Sequence, residues 1–256
     1  MSDSIIVIPC YNEAARLDTR AFREFCDSAD VRLLFVDDGS TDDTRQVIEA
    51  LRQLCPEGVS LMPLSRNAGK AEAVRLGLIA ACAEHPAYVG FWDADLATPL
   101  NEILAFRCLL ETRPEIEMIF GSRVKLLGRY VERRPVRHYL GRAFATAAAA
   151  VLGIGVYDTQ CGAKMFRVTP GFVERLNEPF VGGWIFDVEM IAREIQARRA
   201  RSLAPVSTVI YEYPLMQWRD VAGSKIRARD WLRVGFDLGR IWLRYVAGAP
   251  RGPGQR

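Results

Sequence analysis

The chain has 256 residues, which at roughly 150 residues per domain allows one large domain or two modest ones. Half of the residues are hydrophobic and a quarter are charged, which excludes disordered, collagen-like and polytopic membrane classes. The 34 lysines and arginines against 31 acids leave a net charge of +3, too mild to argue for nucleic acid.

In chain order, short apolar runs alternate with longer amphipathic segments. Ile5–Pro9, Leu33–Val36, Val59–Leu64, Tyr88–Trp92 and Met118–Phe120 are predicted as buried strands. Between them, Glu13–Cys26, Asp43–Leu54, Ala71–Ala83 and Leu100–Leu110 carry apolar residues at three- and four-residue spacing, the pattern of βαβ units on a parallel sheet. Ser40 with Asp43 has the spacing of a capping box for the second helix. A basic loop, Ser122–Arg137, leads into an Ala-rich helix, followed by a Gly-broken stretch, Gly153–Gly162. A helix is predicted over Phe186–Arg198, a strand over Val206–Tyr213 and a last helix from near Arg227. The weakly polar run Ala143–Tyr157 falls short of the roughly 20 apolar residues a spanning helix needs. The expected organisation is therefore one α/β domain over 1–226, an amphipathic helix over 227–247 and a disordered tail over 248–256. Six scattered cysteines with no Cys-x-x-Cys pair, and an N-terminus unlike a signal peptide, fit a reducing cytoplasm.

In an open parallel sheet, ligands bind beyond the carboxyl ends of the strands. Three predicted strands run there into Pro9-Cys10-Tyr11-Asn12-Glu13, Asp37-Asp38-Gly39-Ser40 and Asp93-Ala94-Asp95. Any one of these reads equally well as a cap or an Asx turn. Together they gather carboxylates that repel one another unless a cation is present. Asp93 and Asp95 bracket a small residue, so both can approach one hard divalent ion, Mg²⁺ or Mn²⁺, that also holds phosphate oxygens. No Gly-rich dinucleotide or P-loop signature follows the first strand.

These motifs, IPCYNE (Ile8–Glu13), VDDGSTDDT (Val36–Thr44), RNAGKAEAVRLG (Arg66–Gly77) and DADLATP (Asp93–Pro99), resemble those of family 2 glycosyltransferases of the GT-A fold. GSR (Gly121–Arg123), DTQCGAKMF (Asp158–Phe166), WIFDVEM (Trp184–Met190) and GSK (Gly223–Lys225) resemble, more narrowly, the dolichyl- or polyprenyl-phosphate glucosyltransferase branch. The resemblance implies a Rossmann-like, mostly parallel sheet flanked by helices and an inverting transfer from a nucleotide-sugar, with UDP-hexose ahead of GDP-mannose. It places Pro9, Tyr11 and Glu13 at the nucleoside, Asp37 or Asp38 at the base or ribose, and Lys70 and Ala94 on the donor side. Asp93 and Asp95 would face the metal and diphosphate, and Lys225 would ride a loop closing over the diphosphate. Many mannosyltransferases of the family carry Gln where this chain has Ala97, which weakens a GDP-mannose reading.

Between Arg123 and Arg142 there are seven basic residues against one acid, Glu132. A solvated face is one reading. The other is that Arg123, Arg133 and Arg137 grip an acceptor phosphate, here a polyprenyl phosphate, while the rest meet anionic headgroups. Asp158, opening the DTQCGAK motif, is expected to orient or deprotonate the acceptor. Asp187 is the second candidate, although an acid there also suits a helix N-terminus. A soluble family 2 enzyme with a small-molecule, glycan or protein acceptor is the alternative, and a non-catalytic scaffold a more distant one. In the last helix, charges at Asp230, Arg233, Asp237, Arg240 and Arg244 form one stripe, and Trp231, Phe236, Trp242, Leu243 and Tyr245 lie among the apolar rest. That helix is expected to meet the inner membrane surface or, alternatively, a second copy in a homodimer.

Overall fold

The computed structural model describes residues 3–132, 135–221 and 228–247, without side-chain detail for 135–138 and 228–233. Strands β1 (Ser4–Cys10), β2 (Arg32–Asp37), β3 (Val59–Pro63), β4 (Tyr88–Trp92) and β5 (Met118–Ser122) alternate with helices α1 (Thr19–Ser28), α2 (Thr44–Leu54), α3 (Lys70–Cys82) and α4 (Glu102–Thr112). The second half supplies β6 (Tyr130–Glu132), α5 (Pro135–Leu152), β7 (Ala163–Arg167), α6 (Pro170–Leu176), α7 (Phe186–Ala200), β8 (Ile210–Pro214), β9 (Gln217–Arg219) and α8 (Ala228–Ile241), which ends in a π-helical turn, Trp242–Val246. The central sheet runs β3-β2-β1-β4-β7-β5-β8. It is parallel except for β7, which lies antiparallel between β4 and β5. β6 and β9 form a separate parallel pair.

Alternation along buried strands divides the core in two. Val7, Val36, Phe91, Phe120 and Phe166 face α3, α5, α7 and α8, whereas Ile6, Ile8, Phe35, Trp92 and Met165 face α1, α2 and α4. α3 lies so close to the sheet that a Cβ at Gly77 would sit 2.5 Å from Val7 Cγ1. Pro9 is tolerated in a central strand because pairing of β1 with β4 stops at Val7 and leaves Pro9 only its β2 partner.

Several expectations need correction. α1 begins at Thr19, capped by Asp18, and not at Glu13. The backbone of Glu13 and Ala14 is held by Thr44 Oγ1 and Asp42 instead, and Asn12 takes the left-handed conformation at φ 53°. Ser40 and Asp43 form no capping box: Ser40 Oγ accepts from the Asn12 N–H, and Asp42 accepts from the Thr44 N–H. The basic loop contains β6, and the Gly-broken stretch leads directly into β7, which was not predicted. Val206–Thr208 is a 3₁₀ turn that precedes β8. The last helix is not a separate appendage, since Val234, Leu238, Ile241 and Tyr245 bury against the domain.

Candidate active site

The carboxyl ends of β1, β2 and β4 converge as the topology requires. The loops after β1 and β2 are laced together: Asn12 Oδ1 accepts the Thr41 N–H at 2.9 Å, and Ser40 Oγ accepts the Asn12 N–H at 3.0 Å. Asp37 and Asp38 are both buried. Asp37 accepts from the Ser40 N–H at 3.0 Å. Asp38 accepts from the Ala68 and Gly69 N–H groups at 2.7 and 2.9 Å, so it fixes the loop that opens α3. Burial pushes its carboxyl up. Tyr11 and Pro9 are half-buried, and the Glu13 carboxylate is held by Arg16 at 2.6 and 2.9 Å.

Asp93 and Asp95 project from the end of β4, with Ala94 buried between them. Asp95 accepts from the Ala97 N–H at 3.1 Å. Burial and the neighbouring Asp93 carboxylate push its carboxyl up, against the pull of Lys70 and Arg16. Lys70, the first residue of α3, ion-pairs with Asp93. Crowding in the crevice disfavours its ammonium, but Asp93, Asp187 and Asp95 outweigh that and raise its pKa. Gly162 completes this corner. Its C=O accepts the Asp93 N–H at 2.9 Å, and a Cβ on it would collide with the Asp93 carboxylate. Two hard oxygen donors, one raised by its twin and one cradled where only glycine fits, suit a divalent cation of the Mg²⁺ or Mn²⁺ kind. Among the described residues no group of three or more His, Cys, Asp and Glu side chains forms a metal cage.

The loop from Asp158 to Gly162 joins this corner to Arg123. Asp158 is buried and forms a two-pronged pair with Arg123, Nε to Oδ2 at 2.6 Å and a terminal nitrogen to Oδ1 at 2.7 Å. The Arg123 backbone N–H also reaches Oδ2 at 3.2 Å, and Gln160 N–H reaches Oδ1 at 3.1 Å. This geometry revises two expectations: Asp158 has no oxygen left open to serve as a base, and Arg123 answers to Asp158 before any phosphate. Coulombic attraction to Asp158 keeps the guanidinium pKa raised despite burial. Its plane lies over the Trp218 ring, 5.3 Å to the centroid. Beside it, Arg142 stacks on Tyr157 at 3.8 Å and donates to the Tyr157 C=O, and the two arginines, Thr159 and Gln160 line a cavity of about 40 Å³. Thr159 Oγ1 is buried there with no hydrogen-bond partner.

Asp187 stands in the first turn of α7, as an N-terminal acid would, yet it also belongs to the site. Its carboxylate lies 2.6 Å from Lys164 Nζ and accepts from Gln160 Nε2 at 3.3 Å. Burial raises its pKa against the opposing charges of Lys164 and Lys70. Gln160, Gly162 and Lys164 escaped the sequence analysis as site residues although all lie inside DTQCGAKMF. Lys225 and Arg133 lie outside the described residues, as does the side chain of Arg137.

The sequence model of Glycosyl transferase family 2 matches residues 5–170. The dolichyl-phosphate beta-glucosyltransferase of Saccharomyces cerevisiae is 29% identical over 270 residues, covering 96% of this chain and 76% of its own. Among solved structures, glucosyl-3-phosphoglycerate synthase from Mycobacterium tuberculosis, in complex with Mn²⁺ and UDP-glucose, superposes with a TM-score of 0.64 at 20% identity, covering 98% of this chain and 81% of that one. The mannosyltransferase PcManGT from Pyrobaculum calidifontis, in complex with GDP-Man and Mn²⁺, gives a TM-score of 0.60 at 17% identity, covering 98% and 66%. At those identities the two structures establish a common fold, and a fold shared by a UDP-sugar and a GDP-sugar enzyme does not select the base.

Proposed function

The chain belongs to glycosyl transferase family 2, and from that premise we propose that it transfers glucose from UDP-glucose to the phosphate of a polyprenyl or dolichyl carrier, with inversion at the sugar. The reading rests on one arrangement: the five residues Asp158 to Gly162 carry Asp93 at one end and the Arg123–Asp158 pair at the other. Donor and acceptor functions thus meet across a single short loop. The yeast relative named for this reaction supports the choice of sugar and acceptor.

On this reading Pro9, Tyr11, Glu13 and Asp37 border the nucleoside, and Lys70 and Lys225 offset the diphosphate charge. Asp93 and Asp95 hold Mg²⁺ or Mn²⁺, which when bound supplies positive charge to the departing diphosphate. A phosphate acceptor is already ionised near neutral pH and needs no strong base, so the engagement of both Asp158 oxygens is no obstacle. Arg123, held flat by Asp158, presents its remaining N–H edge to the acceptor phosphate, joined by Arg142 across the cavity and by Arg133 and Arg137. The phosphate oxygen forms the new bond to the anomeric carbon as the bond to UDP breaks, and no proton has to move.

A lipid carrier implies a lipid surface. The exposed side chains Leu126, Leu127, Tyr130, Tyr139 and Leu140 on the acceptor side, and Phe236, Trp242 and Leu243 on the outer face of α8 and its final turn, interleave with arginines. These are our contact points with an anionic inner membrane face; a homodimer is the rival use of α8. No helix among the described residues is long and apolar enough to cross a membrane.

The reading is tested by incubating the full chain and Mn²⁺ with labelled UDP-glucose or GDP-mannose, against lipid extract or aqueous metabolites. Label in the lipid phase from UDP-glucose alone is expected. Label confined to water-soluble products would establish the soluble-acceptor reading instead, and tighter GDP-mannose binding by calorimetry would overturn the donor.

A further inference from the structure

Lys164 stands where β7 calls for a hydrocarbon. It is fully buried, in register between Phe91 on β4 and Phe120 on β5. Its Nζ lies 5.1 and 4.9 Å from those two ring centroids, donates to the Cys161 C=O and sits 2.6 Å from Asp187 Oδ1. Burying an ion pair in such a layer brings no stability that a well-packed apolar side chain would not match. The reason for the charge must therefore lie in what it joins.

It joins the two halves of the site. Cys161 sits between Gln160, whose amide meets the other oxygen of Asp187, and Gly162, whose C=O and bare α-carbon seat Asp93. Asp187 belongs to α7, on a different element. One ammonium thus ties the first turn of α7 to the loop that carries Asp158, Gln160 and Gly162. We propose that Lys164 is a positioning residue for sugar transfer, fixing the Asp187 carboxylate against the 158–162 loop so that Asp187 and Gln160 form one rigid wall of the crevice. This inference rests on the reading of that crevice as the donor site.

The test is a double-mutant cycle of Lys164→Met, Asp187→Asn and the combination. Either single substitution leaves a buried charge without its partner and is prone to misfolding, whereas the double variant removes both charges and keeps the packing. If Lys164 acts through Asp187, the double variant has the same kcat as Asp187→Asn within about threefold, and both fall about 100-fold below the natural chain. UDP–Mn²⁺ affinity, measured by calorimetry, is expected to stay within about threefold in every variant, placing the loss in kcat. Amide exchange in the double variant should quicken at 158–162 and in the first turn of α7 but not in β1 or β2. A double variant at least tenfold slower than Asp187→Asn, or unchanged exchange at 158–162, would overturn the proposal. Absence of transfer by the natural chain on every donor would refute the proposed function instead, and the exchange measurement would still decide the role of Lys164.

Discussion

The carboxylate of Asp93 lies across the bare α-carbon of Gly162, so near that a methyl group there would come within 1.8 Å of Oδ2. Gly162→Ala must therefore displace Asp93. We expect UDP affinity in Mn²⁺ to fall at least tenfold, about 1.4 kcal/mol, with a modest loss of melting temperature. Gly77→Ala, whose Cβ would press on Val7 and Val36, should do the reverse, costing about 1–3 kcal/mol of stability and leaving UDP affinity unchanged. Calorimetry and thermal melts on the two variants separate a site glycine from a packing glycine.

Metal removal should abolish transfer, and Asp95→Asn should remove the Mn²⁺-dependent part of UDP binding, since an amide is a poor ligand for a hard cation. Full turnover in excess chelator would refute the assignment of Asp93 and Asp95.

The raised pKa values of Asp95 and Asp187 make a prediction about the metal-free protein. A carboxyl that binds its proton more tightly folded than unfolded costs stability that is regained as pH falls through its folded pKa toward its unfolded one and lost again as pH rises back through that window. Asp95→Asn should therefore raise the metal-free melting temperature at pH 8 and flatten its decline as pH rises from the ordinary carboxylate range. An unchanged pH profile in this variant would show that Asp95 is not held under electrostatic stress.

Arg123 and Asp158 should behave as a unit. Asp158→Asn and Arg123→Lys both break a two-pronged pair that Lys cannot reproduce, and each is expected to raise the acceptor KM and cut turnover while UDP affinity stays within a few-fold. Loss of UDP binding in Asp158→Asn would move this residue to the donor side.

Thiol chemistry offers a check on packing. Cys108 is exposed. Burial pushes Cys26 up to about 12 and Cys82 and Cys161 up to about 11. Cys10 is raised by burial and by the charges of Glu13 and Asp37. A disulfide reagent at pH 8 should therefore titrate one fast thiol per native chain, lost in Cys108→Ser, and six only after denaturation.

The first five strands were legible because a strand buried on both faces is a run of apolar residues, as in Leu33–Val36 and Tyr88–Trp92. β7 was hidden because Lys164 and Arg167 break its run: the first is a buried charge with a dedicated partner, and the second reaches the Leu110 and Ile116 carbonyls. No periodicity announces such pairs. The start of α1 was misplaced for a similar reason, since the Glu13 and Ala14 N–H groups go to side chains 31 and 28 residues away, respectively. Within the site, acids at strand ends could be read directly, but which oxygens remained open could not. Asp38 and Asp158 were placed among working carboxylates, and only the three-dimensional contacts reveal that one braces a loop and the other braces an arginine.

The buried Glu189 accepts from the Val181 and Gly182 N–H groups at 2.7 and 2.8 Å, and its other oxygen accepts from the Tyr245 hydroxyl at 2.9 Å and from Arg193. The π-helical turn after α8 is thereby fastened two residues from Asp187. Loss of Tyr245 would leave that oxygen to Arg193 alone. A chain cut at 226, as the sequence invites, should therefore melt below the intact one and lose its activity with the cut. The family-matched region and α8 are expected to unfold in a single calorimetric transition, because the helix that bears Asp187 also bears the carboxylate to which Tyr245 is fastened.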